Sequence, residues 1–272
     1  MRLADQTAIV TGVSSGLGRA LVRELCAQGA RVVGMARRKA RGAELTAEIA
    51  AAGGVFEFVE GDVSSAADCE VAAARCLDRF GRIDILINNA GIVGAVGPLA
   101  KLSEEDWDRI HNINLRGAFL MSRAVLPAMR EAGDGVIIHI ASQAGVLGLQ
   151  GLAAYGASKA GMVMLSNAIA VENLDAGIRS NAIILGPMKS EAGKAAATGL
   201  GELARAGEKP PEKPVKRASL AVDAEPVAKS VALLCHPDAR MITAAAIAID
   251  QALTNGGAMS RVFKSYAGGN PI

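Results

Sequence analysis

Short apolar runs separated by stretches with helical spacing fill the first ninety or so residues of the chain. Each run is continuously apolar instead of alternating with polar residues, which is typical of a strand buried on both faces. This pattern predicts strands at 7–11, 31–35, 55–60 and 84–88, and helices at 19–28, 41–52 and 66–80. Strands and helices that alternate in this way predict a parallel sheet covered on both sides.

The second half continues the alternation with longer helices. The pattern predicts helices at 104–131 and 152–174 and strands at 136–140, 179–185 and 245–250, which gives about seven parallel strands. We therefore expect one doubly wound α/β domain of the Rossmann type spanning residues 1–272. Residues 186–220 have weak periodicity and follow a strand's carboxyl end, where open α/β sheets bind ligands, so we expect a substrate lid there. Residues 253–272 are expected to form a C-terminal tail.

Composition and charge narrow the choice of partner. The chain has 29 basic and 27 acidic residues in 272, with no block of like charge, so neither nucleic acid nor a membrane is expected as partner. The three histidines and four cysteines lack the spacing of metal ligands, so no metal is expected. Unpaired cysteines and the lack of a signal peptide favour the cytoplasm.

A glycine-rich turn follows the first predicted strand. Gly12, Gly16 and Gly18 lie where a strand ends and a helix begins. At such a junction the glycines allow a tight turn, a close approach of the backbone to pyrophosphate, and close packing of helix on strand, while the helix N-terminus attracts phosphate. An ordinary glycine loop is the alternative, but the strand before and the helix after favour a dinucleotide site.

A tyrosine and a lysine stand four residues apart near the middle of the chain. Tyr155 and Lys159 share one face of a predicted helix, and Ser142 lies thirteen residues before the tyrosine. A phenol ordinarily titrates near 10, so a neighbouring ammonium favours the ionised form that accepts a proton. Chance alone produces such a pair about one time in fourteen at this composition, so the surrounding motifs decide its meaning.

Together with the Asn-Asn-Ala-Gly sequence at 88–91, these motifs resemble the short-chain dehydrogenase/reductase family, from residue 7 to about residue 250. The resemblance implies an oxidoreductase that interconverts a secondary alcohol and a ketone. In that family the tyrosine moves the substrate proton, the lysine holds the nicotinamide ribose and lowers the tyrosine's pKa, and the serine positions the substrate oxygen. The residues that match here are Tyr155, Lys159 and Ser142. Asn114 matches the family's proton-relay asparagine, and a structural role, in which its amide only hydrogen-bonds the helix backbone, is compatible with that relay.

The resemblance also implies a set of cofactor contacts. Arg37 follows the slot, at Ala36, where an acidic residue would select the unphosphorylated cofactor, so NADP(H) is favoured and NAD(H) is the alternative. A solvated basic turn is the other reading of Arg37 and Arg38. The implied cofactor-binding residues are Gly12, Ser14, Ser15, Gly16, Leu17, Gly18, Arg37, Arg38, Asp62, Val63, Asn89, Ala90, Gly91, Tyr155, Lys159, Gly186, Met188 and Ser190.

The expected substrate is a small, largely apolar alcohol or ketone bound by Ser142, Gln143, Leu149 and Tyr155. The family implies a homodimer or homotetramer, and the helix at 152–174 is the expected seam. Ala244 and Gln251 replace glycines of the family pattern, so the backbone near the last strand is expected to differ there. A regulator or scaffold that binds the cofactor without turnover is the alternative to an enzyme.

Overall fold

A parallel sheet of seven strands separates the helices into two layers in the computed structural model, which describes residues 3–190, 193–194, 198–200, 221–251 and 254. The strands are β1 (Thr7–Thr11), β2 (Arg31–Ala36), β3 (Val55–Glu60), β4 (Ile85–Asn88), β5 (Gly135–Ile140), β6 (Ile178–Leu185) and β7 (Ala246–Ile249). The helices are α1 (Gly16–Ala27), α2 (Lys39–Ala51), α3 (Ala66–Phe80), α4 (Glu104–His111), α5 (Gly117–Ala132), α6 (Ala153–Glu172) and α7 (Ala224–Cys235). This architecture confirms the predicted doubly wound α/β fold.

The strand order is β3-β2-β1-β4-β5-β6-β7, and every pair in it is parallel. Strands β2 and β3 lie on one side of β1, and strands β4 to β7 lie on its other side. The order therefore reverses between β1 and β4, and ligands of such sheets bind in the crevice outside the carboxyl ends at that reversal.

Two apolar cores fill the space between the sheet and its helices. On one face α1, α2 and α7 contribute side chains such as Leu21, Leu45 and Val231, which are fully buried. On the other face α3 and α5 contribute Cys69 and Met121 among others. Strands covered on both faces lack a solvated side, which explains their continuous apolar sequence.

Several predicted boundaries are wrong by a few residues, and one helix was predicted as continuous. Helix α1 begins at Gly16 instead of residue 19, because the later glycines of the turn already lie within its first turn. The helix predicted at 104–131 is α4 and α5 joined by a π-helical turn at Asn112–Arg116. Helices α2 and α6, and strands β2, β4, β5, β6 and β7, each differ from prediction by one or two residues at one or both ends, where local periodicity is weakest.

Helix α7 was not predicted. It packs along α1, and its side chains Val227, Ala228, Val231 and Ala232 are buried in the first core. Its buried residues recur at helical spacing, so the sequence carries the signal for this helix and the lack of a prediction there is an error.

The loops on either side of β7 keep the left-handed backbone despite lacking glycine. Ala244 has φ of 52° and Gln251 has φ of 56°. Both residues therefore adopt a backbone conformation that favours glycine, at a conformational cost.

Most of the predicted lid, at 191–192, 195–197 and 201–220, and nearly all of the predicted tail, at 253 and 255–272, lie outside the described residues. Near the two ends of the predicted lid, Met188 and Val222 form a parallel bridge. Across the described part of the chain, no helix has the length and apolar character needed to cross a membrane.

Candidate active site

The glycine-rich turn wraps the start of α1 against the end of β4. A Cβ atom on Gly12, whose φ is 74°, would lie 2.9 Å from the Ala90 Cα, and one on Gly18 would lie 2.2 Å from the Gly12 carbonyl oxygen. Both positions therefore require glycine for a close backbone approach, as the sequence predicted. Leu17 is buried in the first core, so only its main chain faces the turn.

Hydrogen bonds tie this turn to the loop after β4. The Thr11 hydroxyl accepts from the main-chain N–H groups of Asn89, at 3.1 Å, and Ala90, at 3.0 Å. The Asn89 side chain donates to the Thr11 carbonyl at 2.8 Å. Thr11 was missed as a site residue; its place at the end of β1, one residue before Gly12, is the signal that would have identified it.

Two arginines after β2 reach the same edge of the sheet. The Arg38 guanidinium donates to the hydroxyls of Ser14, at 3.0 Å, and Ser15, at 2.8 Å. Arg37 lies 3.5 Å from the Asp62 carboxylate after β3. Arg38 thus brings a positive charge onto a turn whose own residues carry none.

Asp62 and Val63 follow β3 as predicted. The Asp62 carboxylate accepts from the Ser64 main-chain N–H at 2.9 Å. Burial raises the pKa of Asp62, but the bonds from Ser64 and the charge of Arg37 outweigh it and leave the pKa below its usual value. The cap of α3 is Ser65, which accepts from the Asp68 N–H, so Asp62 does not cap that helix.

Ser142 and Tyr155 come together from the end of β5 and the first turn of α6. Ser142 is 8% exposed and accepts from the Ala144 N–H at 3.2 Å, which begins a 3-10 turn at Gln143–Gly145. Tyr155 is half-buried. Burial raises the pKa of the Tyr155 phenol, and a hydrogen bond from the Ser142 side chain lowers it.

Lys159 lies one turn further along α6 and is 4% exposed. Its ammonium donates to the Ile140 carbonyl at 2.7 Å and lies 5.9 Å from the centre of the Tyr155 ring. Burial lowers the pKa of Lys159 to about 8. The carbonyl of Ile140, at the end of β5, was not predicted as a partner, because main-chain groups carry no signal in the sequence.

Asn114 lies in the π-helical turn between α4 and α5 and is fully buried. Its side chain accepts from the Ile92 N–H at 2.8 Å and donates to the Ile92 carbonyl at 2.9 Å. A Cβ atom on Gly91 would lie 3.1 Å from the Asn114 amide oxygen and 3.3 Å from the Lys159 nitrogen. The amide therefore holds the loop after β4 next to the lysine.

The residues predicted after β6 lie at the same edge. Ser190 approaches the glycine-rich turn, since a Cβ atom on Gly16 would lie 3.6 Å from the Ser190 Cβ. Gly186 donates its N–H to the Ile249 carbonyl at 3.3 Å. Lys189 pairs with Asp223 at 3.1 Å, beside the bridge between Met188 and Val222.

Two of the predicted substrate residues lie in the loop after β5. Gln143 follows Ser142 directly, in the 3-10 turn. Leu149 lines a groove of about 550 Å³ between residues 144–152 and the outer face of α6, and Ser142 and Tyr155 are not among the lining residues of that groove. Contact of Gln143 and Leu149 with the substrate stays a prediction.

The residues at this edge fit a nicotinamide dinucleotide. Gly12 and Gly18 form a cradle that side chains would fill. The Ser15 hydroxyl, at the capping position of α1, bonds to Arg38 and leaves the first N–H groups of α1 without a side-chain acceptor. A glycine cradle beside a helix N-terminus and a guanidinium are the features that bind phosphates.

Comparison with known proteins agrees with this geometry. The family model described as short chain dehydrogenase matches residues 6–200. The levodione reductase of Leifsonia aquatica is 34% identical over 266 residues, which are 92% of this chain and 94% of that protein. A crystal structure of levodione reductase has a TM-score of 0.85 at 30% identity and covers 93% of this chain and 99% of that chain.

Two further solved structures are similar and carry different cofactors. A variant of actinorhodin polyketide ketoreductase with NADPH has a TM-score of 0.83 at 33% identity, over 92% of this chain and 97% of that one. The 3-ketoacyl-(acyl-carrier-protein) reductase from Brucella melitensis, complexed with NADH, has a TM-score of 0.80 at 30% identity, over 91% and 98%.

Proposed function

Because the chain belongs to the short-chain dehydrogenase family and is an NAD(P)-dependent oxidoreductase that interconverts alcohols and ketones, we propose that Tyr155 donates and accepts the substrate proton. One observation carries this assignment: Ser142, at the end of β5, and Lys159, one turn further along α6, both lie beside Tyr155 at the edge of the sheet that carries the glycine-rich turn. A phenol that is half-buried between a hydroxyl and an ammonium is suited to proton transfer.

In the proposed mechanism Ser142 orients the substrate oxygen toward the phenol. In ketone reduction, Tyr155 gives its proton to the oxygen as negative charge develops there, and the Ser142 hydroxyl stabilises that charge by donating a hydrogen bond. In alcohol oxidation the same groups act in reverse, and the phenolate accepts the hydroxyl proton. The bound nicotinamide supplies or accepts the hydride.

Lys159 provides the positive charge that this proton transfer needs. Burial leaves the pKa of the Tyr155 phenol above its ordinary value, with the Ser142 hydrogen bond acting against that rise. An ammonium 5.9 Å from the ring centre favours the phenolate, which is the role proposed for Lys159. With its own pKa lowered to about 8, the lysine remains mostly protonated at neutral pH. Lys159 would also hold the nicotinamide ribose.

The test is turnover of a panel of secondary alcohols and ketones, followed by nicotinamide absorbance. We expect Tyr155→Phe to lower kcat by about a hundredfold or more while cofactor binding persists, because the substitution removes only the proton donor. Full turnover by this variant would reject the assignment. Cofactor binding by the wild-type protein without turnover on any substrate would instead favour a regulator or scaffold.

We also infer that NADP(H) is the preferred cofactor. Arg37 and Arg38 are the cationic side chains nearest the end of β2, and Arg38 already donates to the glycine-rich turn. A guanidinium can bind the 2′-phosphate through two charge-assisted hydrogen bonds, whereas no carboxylate follows β2 directly to accept the 2′-hydroxyl.

Binding of NADPH and NADH to matched variants tests this preference. We expect wild-type protein to bind NADPH more tightly, and Arg38→Ala to weaken NADPH binding by about ten- to a hundredfold with little effect on NADH. Arg41→Ala, which removes a nearby arginine that pairs with Glu44, is the control and should leave the ratio unchanged. A wild-type preference for NADH would overturn the inference.

We further infer a homodimer whose seam is α6. The outward face of α6 is an apolar stripe, defined by the exposed residues Ala153, Ala157, Ala160, Met164, Ala168 and Val171. The charged residues of α6 are Lys159, which is buried, and Glu172 at its last position. A long surface helix without charge on its outer face is typical of one covered by another chain, and the small residues allow a second helix to approach closely.

The state of the four cysteines supports the proposal of a cytoplasmic location. Cys26, Cys69, Cys76 and Cys235 are all buried, and none forms a disulfide. Burial raises the pKa of the Cys26 thiol to about 12, which keeps it protonated and unreactive. A reducing compartment suits four such thiols.

A further inference from the structure

A buried serine joins the catalytic turn of α6 to the π-helical turn. Ser158 directly precedes Lys159 and is 0% exposed. Its hydroxyl donates to the Tyr155 carbonyl at 2.7 Å and accepts from the Asn114 amide nitrogen at 3.0 Å. The Ser158 hydroxyl therefore connects the main chain of Tyr155 to the side chain of Asn114.

The Asn114 amide is also hydrogen-bonded to the loop after β4. It bonds both main-chain groups of Ile92, accepting at 2.8 Å and donating at 2.9 Å. An amide nitrogen has two hydrogens, and here one goes to Ile92 and the other to Ser158. Because both are used, the amide cannot rotate without breaking bonds.

This junction borders the catalytic ammonium. A Cβ atom on Gly91 would touch both the Asn114 oxygen, at 3.1 Å, and the Lys159 nitrogen, at 3.3 Å. A small movement of Asn114 or of the 90–92 loop would therefore change the space around the lysine. Active sites are sensitive to such movements, since a displacement of about 1 Å can lower the rate by about a hundredfold.

We propose that Ser158 is a positioning residue: through Asn114 it fixes the 90–92 loop against the turn of α6 that carries Tyr155 and Lys159. The inference rests on the proposed catalytic role of Tyr155. Loss of the hydroxyl leaves one buried Asn114 hydrogen without a partner. The amide then either stays in place with an unsatisfied donor, which destabilises the folded protein, or turns toward another acceptor. In both cases the loop and the lysine lose their fixed separation.

A second serine on α6 provides a matched control. Ser166 lies eight residues further along the helix, is also 0% exposed, and its hydroxyl bonds to the Ser180 hydroxyl at 2.9 Å. Ser158→Ala and Ser166→Ala each remove one buried hydroxyl from the same helix. A purely structural role predicts the same outcome for both variants.

We expect Ser158→Ala to lower kcat by about ten- to a hundredfold and to displace the apparent pKa of its pH profile, because the surroundings of Lys159 change. Ser166→Ala should keep the wild-type kcat and profile even where it lowers the melting temperature to a similar extent. Titration of NADPH fluorescence without substrate should show weaker cofactor binding in Ser158→Ala alone. Ser158→Thr, which keeps the hydroxyl, should recover most of the lost rate.

A double-mutant cycle identifies the route. If Ser158 acts through Asn114, then Ser158→Ala should have little further effect on kcat in an Asn114→Ala protein. Additive losses, or a Ser158→Ala enzyme with the kcat, profile and NADPH affinity of Ser166→Ala, would overturn the inference. Tyr155→Phe in the same assay separates the two hypotheses: an inactive Tyr155→Phe with an unaffected Ser158→Ala rejects only the role of Ser158.

Discussion

Individual buried side chains in this protein take their partners from distant parts of the chain. Asp84 illustrates this: its carboxylate accepts from the Thr7 N–H at 2.7 Å and from the Arg82 guanidinium, and so aligns the starts of β1 and β4. These bonds orient the main chain where the two strands begin. Ser103, by contrast, bonds within its own segment: it accepts from the Asp106 N–H at 3.1 Å and caps α4.

His139 is the residue whose protonation should matter most for stability. It is fully buried in β5, where its Nδ1 lies 3.4 Å from the Asn88 amide and its Nε2 has no partner among the described residues. Among the described residues, only one ring nitrogen of this histidine therefore has a hydrogen-bond partner. Burial, and to a lesser extent the charge of Lys159, lower its pKa from 6.5 to about 3.

We expect His139 to reduce stability as the pH falls from about 6.5 toward 3. In this range the His139 imidazole binds a proton in the unfolded chain but stays neutral in the folded protein. The unfolding free energy therefore falls by about 1.4 kcal/mol for each unit by which the pH falls. Urea denaturation of wild-type protein and His139→Asn between pH 7 and 4 measures this. The stability difference between the two proteins should shift steadily with pH in favour of the variant; parallel curves would contradict the assignment.

At the scale of elements, the long helix between β4 and β5 shows how tertiary contacts change a local pattern. Its sequence predicts one continuous helix, yet the turn at Asn112–Arg116 widens to a π-helix. The buried Asn114 side chain, bonded to Ile92, lies in that wider turn. Such turns are frequent at functional sites because they place one side chain out of helical register.

The loops that flank β7 are elements whose residues do not suit their conformation. We expect Ala244→Gly to raise the unfolding free energy by about 0.5–1 kcal/mol, because φ of 52° is costly for alanine and not for glycine. Thermal unfolding measures the gain. Ala246→Gly, in the exposed part of β7, is the control and should lower stability by a similar amount, since glycine weakens a strand. Destabilisation by both substitutions would show that the left-handed backbone carries no penalty.

At the scale of the whole molecule, α6 has two opposite faces with different roles. Tyr155, Ser158 and Lys159 face inward, while the apolar stripe faces outward along the whole helix. The groove beside residues 144–152 continues this stripe. In the proposed dimer, a second copy seated there would also cover the loop that begins at Ser142.

We expect Met164→Glu to dissociate the dimer. Met164 is 66% exposed near the middle of the stripe, and in a two-fold interface one substitution introduces two carboxylates. Sedimentation velocity should show a dimer for the wild-type protein and a monomer for the variant. Val71→Glu, at a 55% exposed position on α3, should remain dimeric. A monomeric wild-type protein, or an unchanged Met164→Glu dimer, would reject the seam.

The sequence by itself determined the order and type of most elements, the glycine-rich turn, and the identity of Ser142, Tyr155 and Lys159 as a set. These features depend on short-range information: apolar periodicity, turn residues and motif spacing are all contained within a few residues. Helix α7 carries the same local signal, since its buried residues recur at helical spacing, but it was not predicted.

Only the tertiary structure decided which groups meet. The reach of Arg38 to Ser14 and Ser15, the bond from Lys159 to the Ile140 carbonyl, and the junction of Ser158 with Asn114 and Ile92 each connect segments far apart in the chain. The structure likewise places Leu149 in a groove between residues 144–152 and α6, which its sequence neighbours do not reveal. Such contacts depend on the packing of helices onto the sheet, which fixes side-chain directions that local sequence patterns do not contain.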